Sequence, residues 1–589
     1  MQHDRPLQSF YFKFFSNSYF SIFIICAVGI FTYLNSLQVP FYLDDAGSIT
    51  NNTRLVDASI VSLFNDYGLR FLGYVGFWLN YEYAKLDVVP YHVVNIGIHV
   101  LASMAVFALT NKLAEILHLF DNKYTRLAFS CFVALLFVAH PLQSQAVTYI
   151  VQRLASQVAL FYIAALTCYL YFRVSSNIKL KYAYLTGAVV FGAAAIFTKQ
   201  NAFTLPLVVL LCEWLLFHSV TRKYAVAVTL LSVVATALVL LLPDSVGGFV
   251  SKIDALSRET TDFSRTGYFL AQLPILWNYI GKVFVPWPLQ LEYDYTVDGF
   301  ALWQICLAAL AHIALLFAAV AWRKKYPVVT WGVLFYYATH LIESGVIPIT
   351  DIAFEHRTYL PNLGLFIAVG YAVVSFLSFL VNRSKSFAQF GVLLPVLLLT
   401  TLVSLTILRN EQWKSPELLL ANDLKQAPNQ ARAIHNYAEH KLRQGEVKFA
   451  LELLERLYQL DIQKIDAIML NTHLAALIEA KQFKLAIEKG EFLLEQNLNQ
   501  QARAIINSNM GIMYTNLQKY SLAEQYFDRA YGNVSLPSNS LIAYAYVSFV
   551  LANYDLATTL CKQILSIEPK HRKALLLLNM IDEKIAGVE

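Results

Sequence analysis

Charged residues are scarce in this chain. Only 14% of its 589 residues are Asp, Glu, Lys or Arg, whereas 57% are hydrophobic. Soluble globular proteins carry about 25% charged residues, so the composition excludes an ordinary soluble protein and indicates a protein of the lipid bilayer. The net charge is only +5, and the sequence has no concentrated run of Lys and Arg. We therefore expect no nucleic-acid partner.

Cysteine is also scarce, and the six residues show no pairing pattern. Five lie in apolar runs, where a thiol packs as a small hydrophobic side chain, and Cys561 stands alone in a polar region. The absence of CxxC motifs and of zinc-ligand spacing excludes a disulfide framework or a zinc module. The N-terminal segment lacks a small-residue cleavage site, so the first apolar run is predicted to be a retained membrane helix.

Long apolar runs fill the first 408 residues. Crossing about 30 Å of hydrocarbon takes about 20 apolar residues in a helix. The sequence predicts eleven such spans, at residues 18–36, 91–110, 127–141, 149–172, 182–198, 203–217, 224–242, 302–321, 328–344, 360–380 and 387–408. One further apolar run, 268–286, is predicted to be a re-entrant or interfacial helix.

Basic residues give these spans an orientation. With a cytoplasmic N-terminus, every predicted inner loop carries Lys or Arg, as membrane proteins prefer. The odd number of spans then places the chain from Arg409 onward on the non-cytoplasmic side. The loops predicted on that side are 37–90, 140–148, 243–301 and 345–359.

From Arg409 the composition changes to charged, amphipathic helices that contain a repeat. Four alanines recur at spacings of 36, 37 and 34 residues, close to the 34-residue tetratricopeptide period: Ala450, Ala486, Ala523 and Ala557. Supporting positions in the same register are Ala438, Gly511 and Ala545, then Phe483, Tyr520 and Tyr554, with Pro569 at the expected end of the last helix. We predict four repeats, between flanking helices near 413–426 and 571–586.

The predicted fold class is therefore all-α. A polytopic α-helical membrane domain, residues 1–408, precedes an α-solenoid of tetratricopeptide repeats, residues 409–589. The concave face of such a solenoid, here within 431–569, usually binds a peptide or protein partner. The alternative is that the repeats only stabilise or dimerise the protein.

Two adjacent carboxylates, Asp44 and Asp45, lie in the first predicted outer loop. Mutual repulsion and partial burial disfavour ionisation and bring at least one pKa toward the range of a general base. The alternative is that the pair is a helix cap or an exposed loop charge.

Further polar residues cluster at the outer ends of the predicted spans, where they cost several kcal/mol in lipid unless they are paired or face a cavity. The candidates for binding a donor phosphate and sugar are His140, Arg153, Lys199, Glu355, His356 and Arg357. A guanidinium holds phosphate with two parallel hydrogen bonds and stabilises charge on a leaving group. Carboxylates beside such cations indicate glycosyl transfer. The structural alternatives are that Glu355 pairs with Arg357 and that His140 caps its helix.

Several motifs occur together and in order: FYLDDAGSITNN, HPLQSQAVTYIVQRLAS, TKQNAFTLPLVVLLCE, FEHRTYLPNLGLF and RNEQWKSPELL. In combination they resemble the transmembrane and tetratricopeptide-repeat O-mannosyltransferases and their bacterial relatives. The resemblance implies a glycosyltransferase of GT-C fold that moves a monosaccharide from polyprenyl phosphate to a protein Ser or Thr hydroxyl, with inversion. It implies that Asp44 and Asp45 are catalytic, with Asp44 favoured as the base.

The His inserted between Glu355 and Arg357 resembles the bacterial members. We therefore expect a bacterial inner-membrane protein whose site and repeats face the periplasm; the alternative is an endoplasmic reticulum membrane with a lumenal site. No cofactor and no metal are expected, although Asp44 and Asp45 would be ligands if Mg²⁺ or Mn²⁺ were bound. Expected partners are the lipid-linked sugar, the bilayer and a protein acceptor. The rival functions are transfer to a lipid or glycan acceptor and a non-catalytic membrane-anchored scaffold.

Overall fold

A computed structural model describes residues 17–219, 263–345, 347–383, 385–460, 467–496, 498, 500–532, 536–568 and 570–587. Throughout these ranges the regular structure is helical and no strand occurs. The chain divides into two compact units, residues 1–419 and 420–589. This confirms the predicted all-α fold class.

The described part of unit 1 is built of α-helices, with both short turns and longer connecting segments between them. In chain order the described helices are α1 Ser18–Tyr33, α2 Ile60–Tyr67, α3 Phe71–Ala84, α4 Val88–Ile116, α5 Lys123–Ala139, α6 Ser144–Thr148, α7 Arg153–Val174, α8 Ile178–Ile196, α9 Leu205–Leu215, α10 Arg265–Phe284, α11 Leu302–Ala321, α12 Pro327–His340, α13 Asn362–Arg383 and α14 Lys385–Lys414. Their core contains large apolar side chains such as Trp331 and Tyr162, which are fully buried.

Helices long and apolar enough to cross a membrane agree with most of the predicted spans. Six occur in the described ranges, within α1, α4, α7, α11, α13 and α14, and α5 with the bent segment Pro141–Thr148 gives up to seven. The predicted spans 182–198, 203–217 and 328–344 are also helical, as α8, α9 and α12, but do not meet the same length and hydropathy criteria. The predicted span 224–242 lies outside the described residues. The segment 268–286 forms most of α10, which contains Pro274.

Helices α12 and α13 meet at two glycines. A Cβ atom on Gly332 would lie 2.2 Å from the carbonyl oxygen of Gly364, and a Cβ on Gly364 would lie equally close to that of Gly332. The backbones can come this close only because both residues lack a side chain. Small residues at such a crossing are typical of helix pairs in membranes, where packing drives association.

The predicted domain boundary at 408/409 lies inside α14, a helix of 30 residues. Composition changes at this point, but the helix continues because its polar residues are buried. Arg409 and Asn410 are both 0% exposed. Asn410 Oδ1 accepts a hydrogen bond from Thr148 at 2.8 Å, and its Nδ2 donates to the Thr32 carbonyl at 3.1 Å. The division between the compact units instead falls at Leu419/Leu420.

Unit 2 is a series of helix pairs. The helix α15, Pro416–Gln426, contains the division between the units, and the following helices are α16 Ala431–Arg443, α17 Val447–Glu455, α18 Ala467–Glu479, α19 Phe483–Leu494, α20 Gln500–Asn516, α21 Tyr520–Ala530, α22 Ser538–Val550, α23 Tyr554–Ile567 and α24 Arg572–Ile585. The pairs α16/α17, α18/α19, α20/α21 and α22/α23 coincide with the four predicted repeats. The predicted tetratricopeptide repeat is thus confirmed.

The repeat register follows from the need for small residues where helices touch. The recurring alanines Ala450, Ala486, Ala523 and Ala557 are all 0% exposed. A Cβ on Gly511 would lie 2.8 Å from the ring of Phe527, so the position in helix α20 must be small. Pro569 lies outside the described residues.

The turn inside each repeat uses one left-handed residue. These residues lie five positions before the recurring alanines: Gly445, Lys481, Gln518 and Ala552, with φ of +80°, +58°, +58° and +62°. Glycine adopts this conformation freely, whereas other residues meet steric strain of about 1 kcal/mol or more. Three of the four repeats therefore carry strain at the same turn position.

We expect Gly364→Ala to destabilise unit 1, because the new methyl group would meet the Gly332 backbone and force α12 and α13 apart, at a cost of about 1–3 kcal/mol. The matched control is Gly97→Ala in α4, where no heavy atom lies within 4 Å of the added Cβ. Thermal unfolding of the full chain in detergent should show a lower melting temperature for the first variant only. Equal melting temperatures would contradict the close crossing.

We expect Ala552→Gly to stabilise unit 2 by about 0.5–1 kcal/mol, because it removes strain at an exposed turn that has φ of +62°. Ala557→Gly is the control, since Ala557 is buried inside α23 and glycine there loses packing and helix propensity. The two variants should move the midpoint of denaturant unfolding in opposite directions. A lower midpoint for Ala552→Gly would refute the strain.

Candidate active site

Asp45 forms hydrogen bonds to two segments of unit 1 that are far apart in the sequence. Its Oδ2 accepts a hydrogen bond from the Tyr42 backbone N–H at 2.9 Å, and its Oδ1 accepts one from the Val151 N–H at 2.8 Å. The side chain is 0% exposed. Asp45 therefore fixes the loop after α1 against the segment that begins α7.

Burial is the main influence on the pKa of Asp45. Removal from water raises the pKa of Asp45 to about 8, and the neighbouring charge of Asp44 raises it further. The two backbone hydrogen bonds and the positive charge of Arg153 act in the opposite direction but do not cancel the effect of burial. Asp45 thus holds its proton well above the usual range of a carboxyl group.

Asp44 has the opposite environment, because its side chain is exposed. Its backbone N–H donates to the Tyr149 hydroxyl at 2.8 Å. The preceding residue, Leu43, has φ of +31°, which is a strained conformation for a residue with a side chain. This turn places the side chain of Asp44 at the surface and the side chain of Asp45 in the interior.

Arg153 is held entirely by protein groups. Its three guanidinium nitrogens donate to Asn95, Asn80 and the Tyr91 carbonyl, and the side chain is 0% exposed. The guanidinium also lies 4.8 Å from the centre of the Phe77 ring. Because all three nitrogens already bind protein groups and the side chain has no exposed surface, the structure favours a positioning function for Arg153 near Asp45.

His140 likewise has both ring nitrogens engaged. Its Nε2 lies 3.0 Å from the Val283 carbonyl oxygen, and its Nδ1 accepts the Leu142 N–H at 3.3 Å. The residue lies at the bend between α5 and the segment Pro141–Thr148. This geometry matches the helix-cap alternative for His140.

Lys199 and Arg357 belong to one buried network around Glu343. Lys199 Nζ lies 2.5 Å from Glu343 Oε1. Arg357 donates to the Glu343 carbonyl at 3.0 Å and to the Tyr268 hydroxyl at 3.2 Å, and it also donates to the Asp351 carbonyl. These cations are therefore brought together, as the sequence predicts, but they hold the loop after α12 in place.

Glu355 does not pair with Arg357. Its Oε1 accepts hydrogen bonds from the Gln290 N–H at 2.9 Å and the Tyr293 hydroxyl at 2.8 Å. The nearest cation is Arg409, at 3.9 Å. The pairing of Glu355 with Arg357, one of the structural alternatives, is therefore wrong.

His356 contacts the segment that follows α5. Its backbone N–H donates to Gln145 Oε1 at 2.7 Å, and its ring stacks on Phe354. Burial, together with the charges of Lys199 and Arg357, holds the pKa of His356 well below its usual range. The imidazole is therefore neutral at pH 7.

Aromatic residues that sequence reasoning missed support the Asp44 loop. Trp413 lies between Tyr42 and Tyr149, with ring centres 5.6 Å and 5.4 Å away. The Tyr42 hydroxyl donates to the Trp413 carbonyl at 2.5 Å. The motif RNEQW contained the signal for Trp413, but only its position in the fold gives the residue a function.

The two carboxylates do not form a preorganised metal site. In the parts of the chain that the structure describes, no three His, Cys, Asp or Glu side chains are grouped closely enough to hold an ion. Each oxygen of Asp45 already accepts a backbone hydrogen bond, and Asp45 is buried whereas Asp44 is exposed. Metal independence remains a prediction.

The pKa of Asp45 gives an expected pH dependence of stability. The folded protein keeps a proton on Asp45 up to about pH 8, whereas the unfolded chain releases it near pH 3.8. The stabilisation from this proton is complete below about pH 4 and is lost as pH rises to about 8. Asp45→Asn removes the titration, so the wild type should lose melting temperature relative to this variant as pH rises from 5 to 8.

Asp66→Asn is the control for this pH series, since Asp66 is exposed on α2. The difference in melting temperature between the wild type and this control should stay constant. A constant difference for Asp45→Asn as well would show that Asp45 is already ionised at pH 5.

Comparison with known proteins finds relatives that are named protein O-mannosyl-transferases. Protein O-mannosyl-transferase F38B6.6 of Caenorhabditis elegans is 25% identical over 438 residues, which are 71% of this chain and 59% of that protein. Protein O-mannosyl-transferase TMTC2 of Homo sapiens is 32% identical over 158 residues, which are 24% of this chain and 18% of that protein. The chain thus spans less than two thirds of the length of either relative.

No protein-family model matches the chain. A solved structure described as the APC/C hetero-tetramer Cut9-Hcn1 aligns with 85% of this chain and 94% of its own at 14% identity, with a TM-score of 0.24 that is too low to inform the fold. The sequence similarity confirms the resemblance that the motifs indicate: over most of its length, this chain is similar to the TMTC-type protein O-mannosyl-transferases.

Proposed function

We propose that this protein is a membrane glycosyltransferase of GT-C type that glycosylates protein Ser or Thr hydroxyls. The donor is a monosaccharide on polyprenyl phosphate, and transfer occurs on the non-cytoplasmic side of the membrane. Relatives named protein O-mannosyl-transferases support the activity and the protein acceptor. The motifs of the chain support the lipid-linked donor.

The observation that carries the proposal is the difference in environment between Asp44 and Asp45. Asp45 is buried and bonded on both oxygens to backbone N–H groups, whereas Asp44 is exposed. A general base must reach its substrate, and it must also be held in position. Asp44 meets the first condition, and the bonds of Asp45 and Tyr149 meet the second.

The reaction then follows from the position of Asp44. The carboxylate takes the proton of the acceptor hydroxyl as the hydroxyl oxygen attacks the anomeric carbon. The bond from that carbon to the phosphate oxygen breaks, and polyprenyl phosphate leaves with the electron pair. Attack opposite to the leaving group inverts the anomeric centre. Asp45 is a positioning residue in this scheme, because it has no exposed surface.

The buried cation network supports a site that receives an anionic donor. Lys199 and Arg357 are the two cations that act on the buried Glu343 carboxylate, and both also act on the neutral His356. Positive charge concentrated at low dielectric attracts a phosphate and stabilises the charge that develops on it. Arg153 contributes by joining the start of α7 to α3 and α4, and His140 contributes by joining the bend after α5 to α10.

The repeats of unit 2 supply the acceptor in this proposal. Tetratricopeptide solenoids bind peptides on their concave face. A repeat array on the same chain raises the local concentration of an acceptor protein at the membrane. Recruitment of a protein is therefore the function that the repeats add to a glycosyltransferase.

We expect Asp44→Asn to reduce sugar transfer by about 10²–10⁴-fold, because the amide cannot take the hydroxyl proton. The assay uses the purified full chain in detergent with a panel of polyprenyl-phosphate sugars and Ser/Thr peptides, and measures both the released lipid phosphate and the glycosylated peptide. The matched control is Asp66→Asn, which changes an exposed carboxyl on helix α2, nearby in the sequence, and should keep wild-type activity.

Other outcomes would favour other functions. Transfer to a lipid or glycan, with no transfer to peptide, would replace the protein acceptor. Peptide binding by a wild type that turns over no donor would favour the scaffold. Full activity of a folded Asp44→Asn variant would remove Asp44 from the mechanism.

A further inference from the structure

Three of the four repeats carry polar residues at the same two positions of their first helix. These positions lie 14 and 15 residues before each recurring alanine. They hold His435 and Asn436 in the first repeat, Asn471 and Thr472 in the second, and Ser508 and Asn509 in the third. We call these six residues the polar row. The fourth repeat has Ile542 and Ala543 at the two positions, so the row ends there.

The polar row lies on the inner face of the solenoid. The first helices of successive repeats, α16, α18, α20 and α22, pack against one another along unit 2. The second helices contact mainly first helices. In a curved array of helix pairs, the layer with the closer neighbours forms the concave side. The row therefore belongs to the surface on which such arrays bind a partner.

Hydrogen bonds join the polar row across neighbouring repeats. His435 Nε2 lies 3.0 Å from Thr472 Oγ1, and Asn509 Nδ2 donates to Asn471 Oδ1. Asn471, Thr472 and Asn509 are half-buried, so part of each residue is in contact with solvent. The middle of the row is thus a connected polar surface that a ligand can reach from outside the protein.

The Asn471–Asn509 pair keeps one donor and one acceptor for a ligand. An Asn side chain has an acceptor oxygen and an amino group that donates. One hydrogen bond joins the two amides, and within the described residues Asn471 Nδ2 and Asn509 Oδ1 have no other partner. A peptide unit offers the complementary C=O and N–H groups. The pair is therefore chemically suited to bind a peptide backbone.

Helix packing does not require polar residues at these positions. In the fourth repeat Ile542 and Ala543 are half-buried there, and α22 still packs against α20. In the polar repeats, Asn436 Nδ2 and Ser508 Oγ are buried and have no partner among the described residues. Buried polar atoms without a partner lower stability. Stability alone would therefore favour apolar residues throughout, whereas binding of a ligand accounts for the polar row.

The polar row has uncharged surroundings in the second and third repeats. Every residue three or four positions from the row on α18 or α20 is uncharged, and these residues share its helix face. Ile512, one turn after Ser508, is half-buried and adds an apolar contact. A charged ligand would find no opposite charge on this face. The surface therefore fits an uncharged segment of a partner.

We infer that the polar row binds the backbone of an extended, uncharged peptide segment. Its three helices, at usual spacings, span about 16–20 Å, which is the length of about five or six extended residues. Hydrogen bonds to the main chain give affinity without requiring one sequence. The segment is a Ser/Thr-rich stretch of the acceptor protein, an identification that rests on the proposed function.

The test measures binding of a fluorescent Ser/Thr/Ala peptide of about twelve residues, longer than the row, to the purified full chain in detergent. The Asn471→Ala/Asn509→Ala double variant should weaken binding about tenfold, because it removes neutral hydrogen bonds. The matched control is Gln525→Ala, an exposed amide on the second helix α21, which should leave the affinity unchanged. Equal affinity of the wild type and a folded double variant would refute the site.

Two further peptides test backbone recognition with the wild type alone, so this measurement does not depend on the folding of a variant. A peptide of the same composition in scrambled order should bind as tightly. A peptide with N-methyl groups on alternate residues should bind about tenfold more weakly, because it lacks N–H donors. Loss of binding on scrambling, undiminished binding of the N-methylated peptide, or no binding of any peptide would each contradict the inference.

The outcomes separate this inference from the proposed function. If the folded double variant binds the peptide as tightly as wild type while Asp44→Asn abolishes transfer, the polar row is not the peptide site and the glycosyltransferase stands. If wild type binds the peptide through the row but transfers sugar to no peptide, the row stands and the proposed function fails. If both are correct, the double variant should raise KM for the peptide and keep kcat.

Discussion

The hydrogen bonds of the Asp45 carboxylate are the interaction on which the candidate site depends. They join Tyr42 to Val151, two residues that are far apart in the chain, and the side chain that accepts both bonds is 0% exposed. A carboxyl group is well suited to this task because its two oxygens can each accept from a different loop. The preceding residue, Asp44, remains exposed and is held by a separate bond from its N–H to the Tyr149 hydroxyl.

The end of α14 provides a second layer of support. Arg409, Asn410 and Trp413 lie on one face of the helix, and each contacts a different part of unit 1. Asn410 bonds Thr148, while Trp413 packs against the tyrosines on either side of the Asp44 loop. The helix that leads to the repeats is therefore also part of the wall of the site. A change in its last two turns would disturb the carboxylates without touching them.

Sequence reasoning was most successful where a local rule decides the structure. The alanine register predicted the repeats because helix contacts require a small residue once per unit, and the apolar runs predicted most membrane helices. Hydrogen-bond partners could not be predicted in this way. Asp44 and Asp45 are neighbours with the same side chain, and they differ through contacts with Val151 and Tyr149, which lie more than a hundred residues away. The sequence makes Arg153 a candidate phosphate ligand, but in the structure its guanidinium donates to Asn80, Asn95 and Tyr91.

Leu43 shows how stability and function compete within this turn. A leucine with φ of +31° stores strain beside Asp44, and a glycine there would relieve it. Glycine would also free the backbone on the N-terminal side of the carboxylate, so that Asp44 would sample many orientations. A substitution that relaxes the backbone at Leu43 would therefore also loosen the carboxyl group beside it. A search for stabilising substitutions alone would choose the change that leaves Asp44 least fixed in position.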